Sequence, residues 1–211
     1  MVIERPPVFF RKLFPGVTFR IKRSGKVPGV VYLTFDDGPI PEVTPWVLDR
    51  LDEFEIKATF FMVGENITRY PDIYEEVKRR GHLVANHTHH HIRGLKVSPE
   101  EYLKDVENCE RYTDSKIFRP PHGWLTPRQL KALKGKYKVV MFDLVTRDYS
   151  KRTTADQVLE NVKRLARDGS IIVFHDSLKS IDKLRDILPE ALQWLKDSGY
   201  EFGLLNMENL E

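Results

Sequence analysis

Two hydrophobic patterns alternate along this chain. Short runs of consecutive apolar, aromatic or β-branched residues have the composition of strands buried on both faces, and they fall at Val30 to Phe35, Lys57 to Val63, Leu83 to Asn86, Lys116 to Phe118, Tyr137 to Phe142, Ser170 to Phe174 and Tyr200 to Leu205. Between them, apolar residues recur every three or four positions, the spacing of helices that bury one face. Such stretches run from Thr44 to Phe54, from Pro71 to Arg80, from Ser98 to Tyr112, onward from Thr126-Pro127, from Thr153 to Arg167 and from Ile181 to Ser198. Ser98-Pro99-Glu100-Glu101 is a strong helix start, and Gly81 stands where a helix should stop. Strand–helix alternation with short loops predicts a mostly parallel sheet of about seven strands in one α/β domain, residues 30–211. Periodicity alone leaves open whether that sheet closes into a barrel. Residues 1–29 read differently, as an arm with prolines at 6, 7, 15 and 28, glycines at 16, 25 and 29, and Phe9, Phe10, Leu13 and Phe14 to anchor it.

Composition narrows the classes. A chain of 211 residues that is 41% hydrophobic suits one large domain with a full core. Its 34 basic and 31 acidic residues leave a net charge of +3 with no dominant Lys/Arg run, so no nucleic-acid partner is expected. Cys109 is the only cysteine, which excludes an internal disulfide. No apolar run approaches the roughly 20 residues of a membrane span. The first residues lack the apolar segment of roughly 7–15 residues found in a secretory leader. A cytoplasmic location is therefore the default expectation, with the cell envelope or exterior following if a leader has been removed. Nothing in the pattern speaks to oligomeric state.

The chemistry gathers just after the strands. The first strand runs straight into Asp36-Asp37-Gly38-Pro39. Side chains alternate along a strand, so the two adjacent carboxylates point apart and invite divided roles, one as a base and one as a metal ligand. The third strand delivers Asn86-His87-Thr88-His89-His90-His91, four histidines in five positions. His87 and His91 share a face if the segment makes a helical or tight turn. Two imidazoles with Asp37 as the natural third ligand form a three-ligand set with an open position, the pattern of a catalytic zinc. The same set also accepts cobalt, manganese or nickel. Arg119-Pro120-Pro121-His122-Gly123 is a rigid loop whose first free N–H belongs to His122, a candidate donor to an oxyanion. His175 ends the sixth strand and is a candidate general acid, with either Asp143 or Asp148 available to orient it.

In these motifs the chain resembles the polysaccharide deacetylases of carbohydrate esterase family 4, the NodB-homology domain. Five motifs match in order: Thr34-Phe35-Asp36-Asp37-Gly38, His87-Thr88-His89-His90-His91, Arg119-Pro120-Pro121-His122-Gly123, Asp148-Tyr149 and Val173-Phe174-His175. The resemblance implies an irregular (β/α) barrel. It also implies roles: Asp36 as catalytic base, Asp37, His87 and His91 as metal ligands, and Arg119 as the partner of the base. His175 would be the catalytic acid and Asp148 its carboxylate. The His122 N–H would face the oxyanion, and Tyr149 and Val173 would flank the acetyl pocket. Two positions depart from the family pattern, His122 where an aromatic such as Tyr is usual and Tyr149 where Trp is usual, and both bear on pocket shape.

The expected activity is metal-dependent removal of N-acetyl groups from the amino sugars of a glycan, either chitin-like or peptidoglycan-like. An O-acetyl esterase acting on acetylated xylan is the nearest rival, since the same groups would hydrolyse an ester. A catalytically weak carbohydrate-binding relative is a rival of another class, opposed by the intact acid, base and ligands.

Overall fold

The computed structural model describes residues 4–21, 25 and 29–210. The central strand is β1 (Val30–Asp36), flanked by β2 (Thr59–Met62) on one side and β7 (Ile171–His175) on the other. Beyond β2 lie β3 (Leu83–Asn86), β4 (Ile117–Phe118) and β5 (Lys138–Val139), and beyond β7 lies β6 (Leu144–Val145). The order is β5-β4-β3-β2-β1-β7-β6, every pairing is parallel, and a short β8 (Glu201–Phe202) pairs with the start of β1. The edge strands β5 and β6 are consecutive in the chain, joined only by residues 140–143. At about 3.3–3.6 Å per extended residue that link spans less than about 20 Å. The sheet must therefore curl until its edges approach each other, and it forms a half-barrel of seven parallel strands.

Eight helices accompany the sheet among the described residues: α1 (Val8–Lys12), α2 (Thr44–Glu53), α3 (Gly64–Arg69), α4 (Pro71–Arg79), α5 (Pro99–Thr113), α6 (Pro127–Leu133), α7 (Ala155–Leu165) and α8 (Ile181–Asp197). Reciprocal capping boxes open α5 (Ser98 with Glu101), α6 (Thr126 with Gln129) and α7 (Thr154 with Gln157), so these starts are written locally.

Three features depart from the sequence expectation. The strand expected over 137–142 pairs as β5 only at 138–139, because the chain then leaves one edge of the sheet for the other. There Val140 bridges Thr18 of the arm, while its N–H still donates to the Phe118 carbonyl of β4 at 2.8 Å. β6 has too few residues to show any periodicity, and no strand is expected from the sequence there. Gly64-Glu65-Asn66, outside every stretch of helical spacing, opens α3, whose first N–H groups donate to the carbonyls of Thr88 and His89 (3.0 and 2.8 Å). Those acceptors come from the His-rich loop, so this helix start depends on tertiary contact.

Alternation along β1 sorts its side chains into two layers. Val31, Leu33 and Phe35 pack outward with Val47, Leu48, Leu51, Leu188 and Leu192 of α2 and α8. Tyr32 belongs instead to the interior cluster, which includes Phe61, Ala85, Ile117, Val140 and Ile171. Asp36 shares this phase, so period two sends its carboxylate into the half-barrel. No helix among the described residues is long and apolar enough to cross a membrane.

Phe35 stacks between Phe60 and Phe174 with ring centroids 5.1 and 5.7 Å apart, and all three are fully buried. Phe60→Ala leaves a cavity between sheet and helices, and the expected loss is about 3–5 kcal/mol of unfolding free energy in urea denaturation. Phe9 is 71% exposed, and Phe9→Ala should stay within about 0.5 kcal/mol in the same measurement.

Candidate active site

Because the strands are parallel, their C-terminal ends share one rim, and each sequence-predicted residue emerges there. Asp36 ends β1 and Asp37 follows it, His87 and His91 follow β3, Arg119 and His122 follow β4, Asp148 and Tyr149 follow β6, and His175 ends β7. All except Asp148, which lies behind His175, line one cavity of about 450 Å³, together with Val173.

Asp37, His87 and His91 bring one ligand atom each to within 4.8 Å of the others. Asp37 Oδ1 lies 3.1 Å from His91 Nε2 and 3.8 Å from His87 Nε2. His87 Nδ1 is 2.8 Å from the Arg119 carbonyl, which can only accept. The ring proton is thereby held on Nδ1, and the Nε2 lone pair is left for an ion. Burial drives the His87 pKa down to about 4, so the imidazole is neutral, as a ligand must be. At Asp37 burial pushes upward, but the His91 hydrogen bond and the nearby charge of His175 outweigh it and hold the carboxyl below the usual range. Two imidazole nitrogens, one carboxylate and open space in front of them fit a divalent ion with a vacant coordination position. His87 and His91 converge through a tight turn, with Thr88 and His91 at φ 65° and 51°.

Asp37 itself sits at φ 88°, a region that costs a non-glycine residue free energy and persists only where the surroundings impose it. The loop is held from several sides. Asp37 N donates to the Phe61 carbonyl (3.3 Å), and Asn66 Nδ2 donates to the Asp37 carbonyl (2.8 Å). Asp176, fully buried, accepts from Gly38 N (3.1 Å) and from Thr44 Oγ1 (2.6 Å). A Cβ at position 38 would lie 2.0 Å from Asp176 Oδ2, which is why glycine follows the two carboxylates. Burial first, and the charge of Asp37 in addition, push the Asp176 carboxyl up to about 8.

Asp36 is 5% exposed and pairs with Arg119, whose Nη1 is 2.6 Å from Asp36 Oδ1 and 2.8 Å from Thr34 Oγ1. Arg119 Nη2 donates to the Met141 carbonyl at 3.0 Å, and the guanidinium lies 3.9 Å over the Phe61 ring. On the neighbouring strand, His175 is the register partner of Asp36. Its Nδ1 is 2.8 Å from Asp148 Oδ1, and its backbone N donates to Asp148 Oδ2 at 2.7 Å. Burial alone would lower the His175 pKa, but the Asp148 charge and hydrogen bond raise it to about 9. The structure thus selects Asp148 between the two candidates. Asp143 instead meets Arg5, Arg11 and Arg167, because it leaves the sheet on the side facing the arm.

His122 adopts φ 61°, and its ring meets that of His91 edge-on at 4.7 Å. Tyr149 packs edge-on against His175 at 4.6 Å. The other two histidines of the cluster face away from the ligand set. His90 Nδ1 bonds Asp105 Oδ1 (2.5 Å), while His89 stacks on Tyr112 at 5.5 Å.

Sequence reasoning missed several contributors. Asp105 of α5 accepts the His89 and His90 N–H groups, both at 3.0 Å, and so fixes the His loop. Lys183 holds the Asp148–Ser150 loop through the carbonyls of Asp148 (2.9 Å) and Ser150 (3.0 Å). Pro6, Pro7, Phe10, Trp124, Phe142 and Lys179 also line the cavity. Asp176 was visible as the neighbour of His175, whereas the others carry no short-range signal.

Comparison with known proteins agrees with this geometry. The polysaccharide deacetylase family profile matches residues 23–141, more than half of the chain. A peptidoglycan-N-acetylglucosamine deacetylase of Bacillus cereus is 35% identical over 184 residues, covering 82% of this chain and 65% of its own length. The chain thus spans slightly less than two thirds of that relative. A chitooligosaccharide deacetylase of Bradyrhizobium sp. is 33% identical over 169 residues, covering 75% of this chain and 77% of its own. Among solved structures, a peptidoglycan N-acetylglucosamine deacetylase in complex with 4-naphthalen-1-yl-N-oxidanyl-benzamide superposes with a TM-score of 0.80 at 31% identity, covering 95% of both chains. With the five motifs on one rim of a curled parallel sheet, this chain belongs to the polysaccharide deacetylases of carbohydrate esterase family 4.

Proposed function

We propose that this protein hydrolyses the N-acetyl groups of acetylated amino sugars in a polysaccharide or oligosaccharide. One observation carries the reading. Asp36 and His175, register partners on adjacent strands, share a cavity with the Asp37–His87–His91 set, and this supports a proton acceptor and a proton donor acting beside one divalent ion. The names of the relatives support the same substrate class, N-acetylglucosamine in peptidoglycan and chitooligosaccharide.

A divalent ion held by Asp37, His87 and His91, which we take to be zinc, supplies Lewis-acid polarisation of the acetamide carbonyl and of the attacking water. Asp36 removes the water's proton, and Arg119 fixes the orientation of its carboxylate through a 2.6 Å contact. The oxyanion formed on attack receives the His122 N–H. Val173 and Tyr149 bound the space for the acetyl methyl. His175, protonated and held by Asp148, then donates to the departing amine, which cannot readily leave as an anion. The direct test is acetate release from N-acetylated chitooligosaccharide and peptidoglycan beside acetylated xylan. Release from xylan alone would overturn the proposal in favour of an ester substrate.

Removing a ligand separates metal binding from the rest of the fold. His87→Ala and His91→Ala should each lose the ion in elemental analysis, while His89→Ala keeps it. Asp36→Asn should keep the ion yet lower acetate release by several orders of magnitude, whereas Asp37→Asn should lose both; the opposite pattern would exchange the two roles.

The acid imposes an alkaline limit. Its raised pKa means that the donating form of His175 is present below about 9 and is lost as pH rises through that value, so kcat/KM should fall on the alkaline side. Asp148→Asn removes the charge that raises the pKa, and the limb should move to lower pH with a reduced maximum. His175→Ala should cost far more on the amide than on an activated aryl acetate, whose leaving group needs no proton.

A further inference from the structure

We propose that the N-terminal arm is part of the substrate cleft, and that Pro7, Phe10 and Trp124 form a platform for a sugar ring adjoining the residue that is deacetylated. This rests on the deacetylase reading of the same cavity. The cavity that contains Asp36, Asp37 and His175 is also lined by Pro6, Pro7, Phe10 and Trp124. Trp124 is 49% exposed, so its indole is spent neither on the core nor on a buried hydrogen bond. Phe10 meets it edge-on at 6.0 Å and is braced from behind by Phe14 at 5.1 Å.

The arm is docked on the domain. Arg11 Nη2 lies 2.7 Å and Arg5 Nη2 3.4 Å from the buried carboxylate of Asp143. Arg147 pairs with Glu4 at 2.9 Å, and Val145 N of β6 donates to the Glu4 carbonyl at 2.9 Å. Arg11 Nε donates back to the Pro6 carbonyl at 2.9 Å, so the link that fixes the arm also fixes its proline pair. Two consecutive prolines have locked φ and no N–H, which leaves this stretch of wall rigid and without backbone donors.

A surface of this kind selects a ligand with flat apolar faces. A pyranose carries its hydroxyls around its edge and presents C–H bonds on its faces, and these suit the negative face of an indole or phenyl ring. Continuity with the catalytic groups makes the occupant a neighbouring residue of the same glycan chain. The arm therefore acts as a specificity element for oligomeric substrate over an isolated acetyl group.

The experiment compares the metal-loaded wild type with Trp124→Ala and Phe10→Ala, and with Phe10→Leu, which keeps an apolar side chain but removes the ring. Substrates are an N-acetylglucosamine tetramer and 4-nitrophenyl acetate. The ratio of kcat/KM on the tetramer to that on the ester should fall on the order of tenfold, carried mainly by KM, since loss of one stacked ring is worth about one decade. Binding is read without turnover in Asp36→Asn, where titration with the tetramer should quench tryptophan fluorescence and adding Trp124→Phe should remove most of the quench. An unchanged ratio with an unchanged quench would overturn the platform. So would a rate increase on longer oligomers in Phe10→Ala, which would make the arm a barrier. Absence of acetate release by the wild type from every glycan would sink the deacetylase reading itself, and the quench would then decide the platform alone.

Discussion

The guanidinium of Arg119 is the group on which this architecture turns. It is 2% exposed, and a cation taken that far from water must be compensated at once. Asp36 supplies the opposite charge, Thr34 and the Met141 carbonyl accept two more hydrogen bonds, and the Phe61 ring supplies a face. These partners come from β1, from β2 and from the segment leaving β5, while Arg119 itself follows β4. One side chain thus ties four parts of the curled sheet together across its interior. The constraint is mutual: without Arg119 a buried carboxylate is stranded, and without Asp36 a buried guanidinium is. The same pairing fixes the carboxylate of Asp36 on the cavity lining, so charge compensation and the orientation that the proposed base needs come from one contact.

Two adjacent carboxylates end in different environments because a strand ends between them. Asp36 is the last residue of β1 and keeps the strand's alternation, which directs it inward. Asp37 is the first residue beyond, at φ 88°, and the reversal swings it toward His87 and His91. That conformation is held by Asn66, by the Phe61 carbonyl and, one residue on, by the grip of Asp176 on Gly38. Strain at Asp37 is tolerated because a buried hydrogen-bond network surrounds it.

The ends of β6 and β7 show how position along the chain decides the use of a carboxylate. Asp143 and Asp148 lie five residues apart on either side of β6, and either could be written as the partner of a histidine. Asp148 emerges at the rim beside His175 and orients it. Asp143 stands at the opposite end, among Arg5, Arg11 and Arg167, and anchors the arm that brings Phe10 to the cavity.

Much of this protein is determined by sequence alone. Strand composition, helical spacing and the capping boxes at Ser98, Thr126 and Thr154 are local, so the alternation and the helix starts can be read directly. The candidate site residues are legible because each ends or follows a strand, and parallel strands put those positions on one rim. Tertiary structure alone decided the rest. Curling brings β5 and β6 within one short link, which splits the expected strand and creates one of two residues with no pattern to show. The choice of Asp148 over Asp143 depends on which end of β6 each occupies. The contributions of Asp105, Lys183, Trp124 and the arm rest on contacts between segments far apart in the chain, which no local spacing encodes.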